Sequence, residues 1–171
     1  LDAQAGVIYE FCLGRGSQYP VAFLGAAQGP PGSTMEDQPP WRGTLVCDQY
    51  AGYDAVLDKR VYPQRIAAHC AAHARRKFVD VYKTTRSPFA QEVIERLQAV
   101  YAIEAEIRGS SAEQRLVVRC SRTAPLMEAL KARLTAMVGQ LFSQSPLAEA
   151  INYALNHWDG LTLFLRDGRV E

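Results

Sequence analysis

The sequence predicts an α/β chain in two parts: strands with short helices over residues 1–85, then an all-helical region over residues 86–171. Three observations carry this reading. Short runs rich in β-branched and aromatic residues, stopped by Gly or Pro, lie in the first half. From Ser87 onward apolar residues recur at helical spacing, behind start signals at Ser87-Pro88, Ser111-x-x-Gln114 and Ser145-Pro146. Between them in character is the stretch 25–40, with Pro30-Pro31 and Pro39-Pro40, which cannot bury much and reads as a loop.

Taken in order, residues 7–13 (Val-Ile-Tyr-Glu-Phe-Cys-Leu) read as a strand that Gly14 and Gly16 stop. Residues 19–24 fit a short helix or a second strand, since periodicity does not decide at that length. Residues 43–48 (Gly-Thr-Leu-Val-Cys-Asp) form an apolar strand of the kind covered on both faces, closed by Asp48. Gly52 then allows a turn into a short helix near 53–59. Residues 65–69 read as a further short strand, and a helix follows over about 71–83.

In the helical region Ser87 is an N-cap with Pro88 at the first helical position. Val93, Leu97, Val100, Tyr101 and Ile107 mark its apolar stripe. Ser111 and Gln114 form a capping box for the next helix, whose stripe is Leu126, Leu130, Leu134, Met137 and Leu141. Ser145-Pro146 opens a last helix with Leu147, Ile151, Leu155, Trp158, Leu161 and Leu165 on one face, and Gly168 as its stop.

Composition bounds the function. With 48% hydrophobic and 22% charged residues among 171, the chain is ordinarily globular and long enough to bury a core. A net charge of +1 gives no whole-molecule field that would attract nucleic acid or membrane, so any such contact requires a local patch. No run approaches the roughly 18 apolar residues of a membrane helix. Cys12, Cys47, Cys70 and Cys120 are widely spaced and form no CxxC pair, which argues against a disulfide framework and for a reducing, cytoplasmic location. The chain begins at Leu1, almost directly in a strand, and is read as a fragment.

Three features carry candidate chemistry. Asp48 ends an apolar strand ahead of a Gly-containing turn, where α/β folds place their sites, although a turn-forming cap is the better reading from spacing alone. His69, Cys70 and His73 place two His at i and i+4, a spacing that holds zinc when both lie on one helix face; Cys70 occupies the place where metalloproteases need Glu, and a structural junction is favoured. Arg75, Arg76 and Lys77, with Lys59, Arg60 and Arg65 nearby in sequence, form a basic cluster of the kind that contacts phosphate. Successive helical residues fan over about 200°, so two of the three but not all can face one phosphate. A solvated helix face is the competing reading. No nucleophilic triad stands out, and Gly14-Arg15-Gly16 is too short for a phosphate loop.

In combination, Trp41-Arg-Gly-Thr-Leu-Val-Cys-Asp48-Gln-Tyr-Ala-Gly-Tyr53 and Cys70-Ala-Ala-His73-Ala-Arg75-Arg76-Lys77-Phe78 resemble the central domain of transposases of the insertion sequence 66 family. The segments 101–108 and 145–156, and the ending 164–171, resemble that family in the same order. The resemblance implies a partial ribonuclease-H-like fold, a mixed sheet with helices, followed by a helical insertion at 86–171 ahead of the catalytic Glu. It implies an Asp-Asp-Glu site holding two Mg²⁺ ions, in which Asp48 is the second Asp and a metal ligand. The family's first Asp precedes the segment that begins at Leu1, Asp2 is in the wrong context to replace it, and the Glu follows Glu171. The expectation is a fragment inactive alone, with DNA (transposon ends and target) and a further copy or a full-length transposase as partners, and no membrane. The alternative is a non-catalytic DNA-binding or regulatory remnant. The resemblance also favours Arg75, Arg76 and Lys77 as DNA-backbone contacts. It gives His73 either a structural role or a place near the metal-bound phosphate. The stretch 26–40 then reads as an inserted surface loop.

Overall fold

A computed structural model of the protein describes residues 42–170. The expected strand at 7–13, the segment 19–24 and the loop 25–40 lie outside the described residues. Strand β1 (Gly43–Cys47) and strand β2 (Arg65–His69) form a two-stranded parallel sheet. The Gly43 N–H donates to the Gln64 carbonyl at 3.2 Å and the Cys70 N–H to the Cys47 carbonyl at 3.0 Å, so both ends are in register. Parallel neighbours require a crossover. Here it carries a 3₁₀ turn (Ala51–Tyr53) and the single-turn helix α1 (Asp54–Leu57), shorter than the helix expected near 53–59. Among the described residues β1 has β2 as its neighbour, with Cys47 buried and Val46 50% exposed.

The described residues divide into two compact units, 42–45 with 49–66, and 46–48 with 67–170. In the first, Arg65 is buried and donates from Nη1 to the Val56 carbonyl at 2.8 Å. Its guanidinium lies 3.5 Å from the centre of the Tyr62 ring. Arg65 therefore ties α1, whose Val56 is buried, to the start of β2.

The second unit is mainly helical. Helix α2 (Ala71–Thr85) ends on Arg86, whose φ of 55° is a left-handed stop. Helix α3 (Pro88–Glu106) begins where the sequence places it, with the Ser87 side chain accepting from the Ala90 N–H. Helix α4 (Ala112–Val118) carries the expected capping box, with Ser111 and Gln114 each accepting from the other's N–H. It runs through a π turn (Arg119–Thr123) into helix α5 (Ala124–Val138). Pro125 lacks the N–H that would bond the preceding turn, and the widened turn just before it accommodates the break. Helix α6 (Pro146–Asn156) is capped by Ser145.

The last helix does not run on to Leu165 as its stripe predicts. It breaks at His157 (φ −112°), giving the short helix α7 (Trp158–Leu161) and a 3₁₀ turn (Leu163–Leu165). The cause is local. The His157 Nδ1 lies 2.7 Å from the Tyr153 carbonyl, the acceptor that the fourth residue along would otherwise use, so side chain competes with ladder. The apolar stripe survives the break, because Ile151, Trp158 and Leu161 stay buried beside Phe78, Val93, Leu97, Leu130 and Leu134. No helix among the described residues is long and apolar enough to cross a membrane.

Candidate functional site

Asp48 is half-buried and directly follows β1. The next residue, Gln49, has φ 65°, a left-handed conformation that non-glycine residues rarely adopt, and both polar atoms of its amide are buried without a hydrogen-bond partner among the described residues. From α6 the Tyr153 hydroxyl donates to the Asp48 backbone carbonyl at 3.3 Å. Burial pushes the Tyr153 phenol above its usual range, and the Asp48 charge pushes it the same way, so the hydroxyl stays a donor. The Lys77 ammonium lies 4.2 Å from the Tyr153 ring centre, a cation–π contact that places a positive charge on the ring that reaches Asp48.

The end of β2 lies alongside the same helix. The His69 ring meets the His157 ring edge-on, centres 5.1 Å apart, and its Nδ1 is 3.3 Å from the His157 carbonyl. The His157 ring is in turn 5.1 Å from the Tyr153 ring. Burial holds the His69 imidazole below its ordinary pKa, and the hydrogen bond to His157 only partly opposes this. His69 ends a strand and His73 begins a helix, so the i, i+4 geometry of one helix face does not apply to them. Among the described residues no three His, Cys, Asp or Glu side chains come together as a metal site. His69, Cys70 and His73 are thus not brought together as a ligand group. The same observation bears on Mg²⁺: the described residues bring no further carboxylates to Asp48 in a ligand cluster, so by themselves they do not fit the two-ion site that the family resemblance implies, and no step is derived through the metal.

The basic run is divided by its helix. Lys77 lines a hollow with Asp80, Thr84 and Glu149. Arg75 and Arg76 line a different groove with Lys83 and with Tyr101 of α3. His73 is half-buried in the first turn of α2, its Nδ1 buried without a partner.

Three participants escape the sequence reading. Tyr153 lies within an apolar helix and nothing in its spacing marks its hydroxyl. Lys83 falls seven residues beyond Arg76 on the same face, a periodicity that could have been found. Arg119 is 1% exposed and binds the Glu104 carboxylate through Nε and Nη2, at 3.0 and 2.6 Å. Its Nη1 donates to the Phe164 and Val170 carbonyls at 3.2 and 2.9 Å. It stands beside an apolar cavity of about 210 Å³ that His69, Cys70 and Tyr101 also line. Its signal was available: Arg119 is in phase with Thr123, Met127, Leu130 and Leu134, all buried, and a charge on an apolar stripe requires a buried partner.

The family described as Transposase IS66 family matches residues 2–171. Uncharacterized protein y4jD of Sinorhizobium fredii is 49% identical over 135 residues, which cover 77% of this chain and 26% of that protein. Uncharacterized protein y4hP of the same organism is 39% identical over 142 residues, covering 75% of this chain and 26% of that protein. The chain thus spans about a quarter of the length of the curated relatives it matches. No solved structure matches it.

Proposed function

This chain belongs to the IS66 family of transposases, and we propose that it forms part of a ribonuclease-H-like core that cuts and joins DNA, with Asp48 as one catalytic carboxylate. The observation that carries the proposal is the placement of Asp48 in the turn after a parallel strand, with the Tyr153 hydroxyl on its backbone carbonyl and Lys77 against the Tyr153 ring. On this reading the backbone of the acid is held by Tyr153, and the cation on the Tyr153 ring suits an approaching phosphodiester. Carboxylates suit Mg²⁺, a hard ion that keeps several waters. The further acids that two ions need come, on this reading, from outside the described residues, so this segment alone does not cleave DNA. Arg75, Arg76 and Lys77 serve as backbone contacts to transposon ends and target, and His73 as a structural residue of the turn into α2.

The basic residues of α2 that line a groove with Tyr101 also favour a second reading: a non-catalytic segment that binds DNA, or pairs with a full-length transposase and impairs it. Strand transfer by the longer transposase carrying this segment separates the two. Asp48→Asn keeps the shape and removes the charge. Loss of an outer-sphere contact costs roughly 10–100-fold, so loss of a ligand is expected to cost more than about a hundredfold. Strand transfer near the wild-type rate in that variant refutes the catalytic assignment.

A further inference from the structure

Two residues that line the groove between α2 and α3, Arg75 and Tyr101, each carry a buried polar atom with no hydrogen-bond partner among the described residues. The Arg75 Nε and the Tyr101 hydroxyl are both buried without a hydrogen-bond partner, whereas folded proteins pair the large majority of such atoms. We propose that this groove, formed by Arg75, Arg76 and Lys83 with Tyr101, is a binding site for the phosphodiester backbone of DNA. The proposal rests on the transposase reading and deepens it by dividing the basic run into two sites and adding Lys83 and Tyr101.

The geometry supports it in four ways. The groove is about 430 Å³ in volume, and its α2 lining falls at residues 72, 75, 76, 79, 80 and 83, one helix face. A phosphate oxygen accepts hydrogen bonds and offers nothing that either orphan atom cannot use, since a guanidinium N–H and a phenol O–H both donate. Burial raises the Tyr101 pKa, keeping it a donor. Arg76 and Lys83 are exposed and stand about 10.5 Å apart along the helix axis at 1.5 Å per residue. That reach lets the two cations meet different phosphates of one strand. Asp80 also lines the groove, and its charge opposes the three cations. Lys77 does not line it, and lies instead on the Tyr153 ring.

Binding of a short mixed-sequence DNA duplex to the 171-residue chain, titrated across salt, tests the proposal. Arg76→Ala and Lys83→Ala are each expected to reduce the slope of log K against log salt by about 0.9 for every phosphate no longer neutralised. Tyr101→Phe keeps the ring and removes only the hydroxyl. It should weaken binding about tenfold, as a hydrogen bond to a charged group predicts, with the melting temperature unchanged or raised. Asp80→Asn should tighten binding. Lys131→Ala removes the same charge from α5 and should leave the slope unaltered. The proposal is overturned if Tyr101→Phe binds as wild type, if Lys131→Ala lowers the slope as much as Lys83→Ala, or if an RNA duplex of the same sequence binds more tightly. The transposase reading fails separately: strand transfer undiminished in Asp48→Asn, with the groove variants still weakening DNA binding, refutes the catalytic role and leaves the groove standing.

Discussion

Replacing Arg119 with methionine removes a guanidinium whose side chain is 2% exposed, bound to a Glu104 side chain that is 23% exposed. Methionine is of similar length, so the variant isolates the polar contacts from the volume. Two carbonyls, those of Phe164 and Val170, lose their Arg119 donor. Each unsatisfied acceptor costs about 1–1.5 kcal/mol at a partly buried site. Breaking a fully buried ion pair costs about 3–5 kcal/mol, but Glu104 regains water through its exposed edge, which places the total nearer about 3 kcal/mol. For a chain of this size each kcal/mol lowers the melting temperature by roughly 2–4 °C, so the expected loss is about 6–12 °C. Far-UV circular dichroism during thermal and urea unfolding measures it. Arg119→Lys keeps the charge but not the planar fork and should recover less than half of the loss. Arg119→Met combined with Glu104→Leu should recover part of it, because no charge is then left unpaired. A single Arg119→Met variant within about 1 kcal/mol of wild type would refute the reasoning that this residue fastens the segment 163–170 to α3.

The remaining predictions are shorter. His69 has a depressed folded-state pKa, so its contribution to stability is fully present above the ordinary imidazole value of about 6.5 and declines as pH falls through the folded value; a urea midpoint that drops on acidification in wild type but less in His69→Gln checks the sign. A Cβ placed on Gly160 would come within 2.5 Å of the His69 Nδ1, so Gly160→Ala should destabilise by about 1–3 kcal/mol, and much of that loss should vanish in a His69→Ala background. The Asp48→Asn variant in strand transfer and the groove variants in DNA binding complete the set.

The helical half was legible because its signals are local. Ser87, Ser111 and Ser145 each cap a helix where the sequence places one, since a cap is decided by the residue and the next three backbone N–H groups. The core positions Val93, Leu97, Leu130, Leu134, Ile151, Trp158 and Leu161 follow from spacing alone. The same spacing overran at His157, where one side chain took a carbonyl from the ladder; apolar periodicity reports which face is buried, not whether the backbone stays helical along it. The site was less legible because its contacts are distant. Tyr153 reaches the Asp48 carbonyl across 105 residues, and no local pattern encodes such a meeting.

That distance explains why Asp48 alone reads as a turn-forming cap. A strand-end carboxylate has many structural uses, and the residues that give it chemical context come from α2 and α6. Lys77 lies against the Tyr153 ring, the Tyr153 hydroxyl donates to the Asp48 carbonyl, and the left-handed Gln49 follows Asp48. The same geometry divides the basic run. Two adjacent residues on a helix point about 100° apart, so a cluster that is contiguous in sequence is divided between two places: Lys77 on the Tyr153 ring, Arg75 and Arg76 in the groove with Lys83 and Tyr101. A DNA strand bound along that groove would run beside α2, the helix that also carries Lys77. Backbone binding and the placing of a phosphate near Asp48 are then linked through one rigid element, and the groove variants should lower strand transfer through weaker DNA binding while Asp48→Asn lowers it with binding intact.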